Sequence, residues 1–180
     1  MAVAAVMQMG RPSLSEYAPF YETYVSLVTE LDPIPVLERQ PLELEALAAA
    51  VPPERETYRY AQDKWSIRET FGHMADAERV FGYRAFCISR GEQAHLPSFD
   101  QDAYVAQSRF DAYPLSELLT EFNALRTSNL RVLLPLTEQD WSRTGTASSA
   151  TISVRALAFI LAGHVRHHVG VLRARYDLKN

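Results

Sequence analysis

The chain has 180 residues, 47% of them hydrophobic, enough for one ordinary core and short for two. A formal net charge of −4 and a pI near 5.7 weigh against a surface that condenses on phosphate backbones or anionic lipid, so neither nucleic acid nor a membrane is an expected partner. Cys87 is the single cysteine, which rules out an internal disulfide and a thiolate cluster, leaves histidine and oxygen as the ligands for any metal, and fits a reducing cytoplasm.

Residues 1–13, "MAVAAVMQMGRPS", have no basic start, and their apolar run is cut by Gly10, Arg11 and Pro12; they read as a flexible tail before a single domain over residues 14–180. No apolar run approaches the roughly 20 residues of a membrane span. Glycine is sparse, at seven residues, and apolar side chains recur at three- and four-residue spacing, so the expected class is all-α.

A first helix is expected from Ser15 to Leu31, with Tyr17, Phe20, Tyr21, Tyr24, Leu27, Val28 and Leu31 along one side, ended by "LDPIP". A shorter one follows from Pro41 to Val51, closed by "VPPE". The long helix from Ser66 to Arg90 has the better-marked ends: Ser66 followed by Glu69 has the capping-box form, and Gly91 supplies the stop. Residues 92–114 then form a crossover longer than a bundle loop usually is, with one short helix around Asp100 to Ser108; loops of this kind often cover a site. Pro114 and Pro135 bracket a helix from Leu115 to Leu134. "LTEQDWSRTGTASSATIS" is a connector to the last helix, Ser153 to Tyr176. Four substantial helices, a short extra one and a long crossover predict a four-helix bundle, whose interior can take ligands from facing helices.

The last helix places three of the five histidines within five residues, in "GHVRHH". Positions four apart differ by only about 40° around a helix axis, so His164 and His168 share a face, together with Leu157, Ile160, Leu161 and Val171. His167 is turned about 100° away, onto the flank. Two imidazoles among leucines need partners for their nitrogens: either hydrogen bonds make them satisfied core residues, or a divalent cation takes both. His73, in "FGHMADAE", flanks the stripe of Ile67, Met74, Ala77 and Phe81 and is a candidate third ligand from the long helix. Glu69 and Asp76 lie on its side of that helix and are candidate acceptors for its second nitrogen; the competing readings are a cap for Glu69 and a solvated carboxylate for Asp76. His95 reads as a solvated loop residue, and Cys87 as a core residue. There is no glycine-rich phosphate loop, no HExxH and no paired Glu-x-x-His motif of the di-iron type. The aromatics Trp65, Phe81, Tyr83, Phe86, Phe99 and Tyr104 read as packing residues of core and crossover.

With "KWSIRETFGHMADAERVFGYRAF", "LPSFDQDAYV", "LSELLTEFNALR" and "SVRALAFILAGHVRHHVGVLRARY" in place, the sequence resembles the DinB/YfiT-like superfamily of helical metalloproteins over most of residues 60–178. The combination of W-S-x-x-E-x-x-x-H with a distant G-H-x-x-H-H is the specific part. The resemblance implies a DinB-like four-helix bundle in which His73, His164 and His168 hold a metal, zinc or nickel, with water completing the coordination. It implies a homodimer, and places His167 beside the last ligand without being one. Relatives of this kind include transferases and isomerases that use small thiols such as bacillithiol and mycothiol.

Three imidazoles on a divalent ion leave positions for solvent or substrate, the layout of catalytic sites, whereas structural zinc sites are closed by four protein ligands. The expected function is therefore a metal-dependent enzyme acting on a small-molecule substrate by hydrolysis or thiol transfer, with Asp100 and Tyr104 of the crossover as a wall or proton carrier. The alternative is a bundle stabilised by its metal that serves as a binding or stress-response module.

Overall fold

The computed structural model describes residues 10–178. Of the expected tail, residues 1–9 lie outside this range. Gly10 to Ser13 are docked: Pro12 is buried, and the Arg11 guanidinium donates to the carbonyls of Val25 and Val28.

The expected first helix is not continuous. Single 3-10 turns at Leu14–Glu16 and Pro19–Tyr21 lead into a four-residue helix α1, Glu22–Val25. Tyr17 is fully extended, and Ala18 is held at ψ 145° because the ring of Pro19 disfavours helix in the residue before it. The periodic stripe is broken accordingly. Tyr17, Tyr24, Val25 and Val28 are buried, while Phe20, Leu27 and Leu31 face outward.

The second helix starts earlier than expected. α2 spans Ile34–Ala49, opened by Asp32, whose Oδ1 accepts from the Ile34 amide at 2.9 Å, with Pro35 in the first turn, where a missing amide hydrogen costs little. Pro41 lies inside this helix. It cannot donate to the Leu37 carbonyl, but Arg126 Nη1 does, at 2.8 Å, so the bond that proline deletes is replaced from another helix.

α3, Ile67–Ser89, begins with the capping box read from the sequence: Ser66 Oγ accepts from the Glu69 amide at 2.9 Å, and Glu69 Oε2 accepts from the Ser66 amide at 2.8 Å. Gly91 ends it at φ 87°, the left-handed conformation that a glycine adopts without a Cβ penalty. The crossover carries α4, Gln101–Gln107, capped by Asp100, and a 3-10 turn at Phe110–Ala112; α5 follows at Leu115–Leu133. The next connector is more structured than expected. It forms a short helix α6, Glu138–Ser142, and a hairpin of β1, Thr144–Ala147, with β2, Ala150–Ser153, before α7, Val154–Arg175. Ser148 and Ser149 make the hairpin turn at φ 52° and 63°, and Leu96 of the crossover bridges to Ala147, tying the long loop to the hairpin.

The mostly helical architecture is a four-helix bundle of α2, α3, α5 and α7, in which α3 packs on α5 and α7, and α2 on the same two. Its buried side chains form two apolar clusters, one around Phe81, Ile88 and residues 156–162, the other around Phe71, Met74, Phe122 and residues 165–172. Where they meet, each helix contributes a polar residue: Gln40, Glu78, Arg126 and His164, all at most 3% exposed. Arg126 donates to both carboxylate oxygens of Glu78, at 3.0 and 2.6 Å, and to Gln40 Oε1 at 2.8 Å; Gln40 Nε2 donates to the Ala162 carbonyl at 2.7 Å. Among the described residues no helix is long and apolar enough to cross a membrane.

Candidate metal centre

His73 comes from the first half of α3, and His164 and His168 from the middle of α7, next to the polar layer. Glycine lets α1 close over them: a Cβ at Gly163 would overlap the Tyr24 carbonyl, and the Tyr24 ring lies edge-on to His164 with centroids 5.2 Å apart. Trp65 packs on His73 at 4.6 Å and stacks over His168 at 6.2 Å. Phe99, from the crossover, lies parallel to His73 at 6.1 Å.

Inside this aromatic box the three Nε2 atoms converge. His164 Nε2 is 2.9 Å from His73 Nε2 and 3.2 Å from His168 Nε2, and one ligand atom from each ring lies within 4.8 Å of the others. All three rings are buried. Desolvation holds His73 down at about 4 and keeps His164 and His168 well below their ordinary value, each pressed further by its neighbouring imidazoles. The rings are therefore neutral at pH 7 and present lone pairs.

A ring nitrogen carries a proton or a lone pair, not both, so linear hydrogen bonding can satisfy only one of the two contacts of His164 Nε2. A cation accepts all three lone pairs. Two nitrogens bound at about 2.0–2.1 Å on a tetrahedral ion would lie about 3.3 Å apart, close to the spacing seen here. The donor set fits a divalent metal, and among the described residues no cysteine, aspartate or glutamate joins the three histidines in it.

The carboxylates expected behind His73 are engaged elsewhere. Glu69 is the cap of α3 and pairs with Arg59, which also reaches Asp111 at 2.7 Å; Asp76 pairs with Arg79. His73 Nδ1 is buried with no hydrogen-bond partner. The capping role, which spacing alone could support, wins for Glu69.

Two cavities reach the cluster from different sides. One, of about 260 Å³, touches His164 and is walled by Tyr21, Tyr24, Phe81, Phe99, Asp100 and Ser148. The other, of about 310 Å³, touches His168 and His167 beneath Trp65, Tyr60 and Asp102. Gln101 borders both. Asp100 lines the first cavity, and its Oδ1 caps α4 by accepting from the Ala103 amide at 3.1 Å. Tyr104 borders neither. It sits behind Phe99, 5.0 Å away ring to ring, half exposed to solvent. His167 is a flank residue, as helix geometry requires, and lies at the mouth of the second cavity. Tyr24, which the sequence offers only as one of a helical stripe, and Gln101, which carries no sequence signal, both shape the site. Arg84 and Arg126 went unnoticed in the sequence, although a charge embedded in an apolar helical stripe was a visible signal.

The family model of the DinB superfamily matches residues 37–172. The chain belongs to the DinB superfamily. Among solved structures it is similar to YfiT from Bacillus subtilis, with a TM-score of 0.73 and 20% identity over 96% of this chain and 99% of that one. YfiT is described as a probable metal-dependent hydrolase with an unusual four-helix bundle topology. At this identity the likeness speaks for the fold, which the DinB bundle shares. No curated protein matches the sequence.

Proposed function

We propose that this DinB-superfamily protein is a metal-dependent enzyme acting on a small molecule, with His73, His164 and His168 holding a divalent cation, zinc or nickel, through their Nε2 atoms. The observation that carries this reading is the convergence of three neutral imidazole nitrogens, at 2.9 and 3.2 Å, in a buried box that adjoins two cavities. The description of YfiT as metal-dependent supports it. A cation held there would supply Lewis-acid polarisation and lower the pKa of a bound water or small thiol, the chemistry of hydrolysis or thiol transfer.

The chain's own residues prepare that site in distinct ways. Burial keeps the imidazoles unprotonated. Trp65, Phe99 and Tyr24 exclude bulk water and lower the local dielectric, which strengthens electrostatic interactions within the box. His167, half-buried at the second cavity's mouth, has a ring nitrogen able to hold or pass a proton to a ligand there. A purely structural ion is disfavoured by the donor set, since closed structural sites use four protein ligands and this cluster offers three.

The test is elemental analysis of protein purified without added metal. One ion per chain is expected in the wild type, and its loss in His164→Ala. An unchanged metal content across alanine variants of all three histidines would sink the proposal.

A further inference from the structure

The chain buries two arginines completely enough to compare. Arg126, 1% exposed, is neutralised by Glu78. Arg84, 2% exposed, has no carboxylate partner among the described residues. Its contacts are to neutral oxygens: Nη1 donates to Tyr21 Oη at 3.2 Å, and Nη2 to the Pro97 carbonyl at 2.7 Å and to Ser148 Oγ at 3.0 Å. A buried charge without a counter-ion is costly, and such a cost persists where a ligand offsets it.

Both hydroxyls that accept from Arg84 stand in the wall of the cavity that ends at His164. Because their lone pairs serve the guanidinium, their protons are free to turn toward the cavity, and neither hydroxyl donates to another described residue. Ser148 is held in place at φ 52°, a left-handed conformation that costs a serine energy, at the tip of a hairpin that Leu96 pins to the crossover. Phe81 lines the same cavity and touches both ends of it: the Arg84 guanidinium is 5.6 Å from its ring centroid, and the His164 ring is 6.0 Å from it. The one carboxylate in this wall, Asp100, is turned to the amide end of α4.

We infer that Tyr21 and Ser148, polarised by Arg84, form a carboxylate-binding subsite, and that the substrate of the metal centre is a small organic acid with an apolar body. Two hydroxyl donors match the two oxygens of a carboxylate. The apolar portion lies along Phe81 between Tyr24 and Phe99, and its far end reaches His164. This inference rests on the proposed function for the word substrate, but the subsite itself needs no metal.

The experiment therefore uses full-length protein stripped with chelator, so that a carboxylate cannot bind through the cation. Phenylacetate and its uncharged isostere phenylacetamide are titrated calorimetrically. The acid is expected to bind about tenfold more tightly, the worth of one charge-assisted hydrogen bond. Arg84→Gln should abolish that preference. Since this variant removes three part-buried hydrogen bonds of a buried guanidinium and could unfold, Tyr21→Phe and Ser148→Ala serve beside it; each should reduce the preference by about threefold or more while the amide binds unchanged. Equal affinity for acid and amide, no saturable binding of the acid, or a preference that survives in the folded variants would overturn the inference. Metal content is measured separately, so a protein that holds its ion but ignores the acid defeats only the subsite, and one that prefers the acid but holds no ion defeats only the metal centre.

Discussion

The Arg126–Glu78 network and the three-histidine cluster lie side by side where the two apolar cores meet, and both draw on α3, yet only the network is complete within the chain. In the network, the Arg126 guanidinium of α5 meets carboxylate, amide and carbonyl acceptors on α3 and α2, and Gln40 passes the chain of bonds on to the Ala162 carbonyl of α7. In the cluster three imidazole Nε2 atoms converge on one another, and the buried His73 Nδ1 has no hydrogen-bond partner. A polar group placed in a core for stability comes with its complement; one that lacks it is built for something the chain does not itself supply.

The comparison breaks most visibly if the network is cut. Arg126→Met leaves the Glu78 carboxylate buried with only the Asn129 amide donating to it and frees the Leu37 carbonyl opposite Pro41, so a loss of about 3–5 kcal/mol is expected in urea denaturation. Adding Glu78→Gln should recover a large part of it. If the single variant were as stable as the wild type, the network would not be what holds the four helices in register.

His164→Ala should do the reverse, abolishing metal binding at little cost to the metal-free protein. Wild-type stability should fall on chelation by the linkage term, about 2.7 kcal/mol when free metal exceeds its Kd a hundredfold, and the variant should show no such difference. His95→Ala, in the exposed loop, should retain both metal and chelator response.

Gly163→Ala sharpens the comparison at the seam between the two regions. The added methyl would meet the Tyr24 carbonyl, so α1 must shift, at a cost of about 1–3 kcal/mol by thermal or urea unfolding. Because Tyr24 walls His164, metal affinity should fall with it, which a simple packing defect elsewhere would not cause.

How much of this was legible depended on whether the signal was local. The capping box of α3, the glycine that ends it and the prolines bracketing α5 are short-range chemistry, and the helices start and stop where those residues indicate. The His164–His168 face follows from helix geometry alone. The convergence of His73 with that pair requires knowing how α3 packs on α7, which no spacing gives; the resemblance supplied it. Three prolines misled in instructive ways. Pro19 interrupts a stripe that looked helical, whereas Pro35 and Pro41 are accommodated, one by its place in the first turn and the other by an arginine 85 residues later in sequence. The hairpin was invisible because its turn is Ser-Ser, in place of the Asn-Gly or Asp-Gly that normally marks left-handed turn residues.

The smallest effect is expected outside the core, where a charge pair can be compared with Arg126–Glu78. Glu30 accepts from Arg166 at 2.8 and 2.7 Å, binding the segment after α1 to α7, and hydrogen bonding to that guanidinium lowers its pKa from 4.5 to about 2. The folded state thus holds this proton less tightly than the unfolded chain, so the pair stabilises the protein above pH 4.5, and its contribution is lost as the pH falls toward 2. With Glu30 about a third exposed, solvent screening limits the gain to less than about 1 kcal/mol. Arg166→Ala should accordingly lower stability slightly at pH 7, and the wild-type and variant curves should converge as the pH falls from 4.5 toward 2 and Glu30 protonates, with the difference at pH 7 shrinking in high salt. A difference that persisted at pH 2 would mean that the arginine acts through its donation to the Leu27 carbonyl, an uncharged tether that acid cannot release.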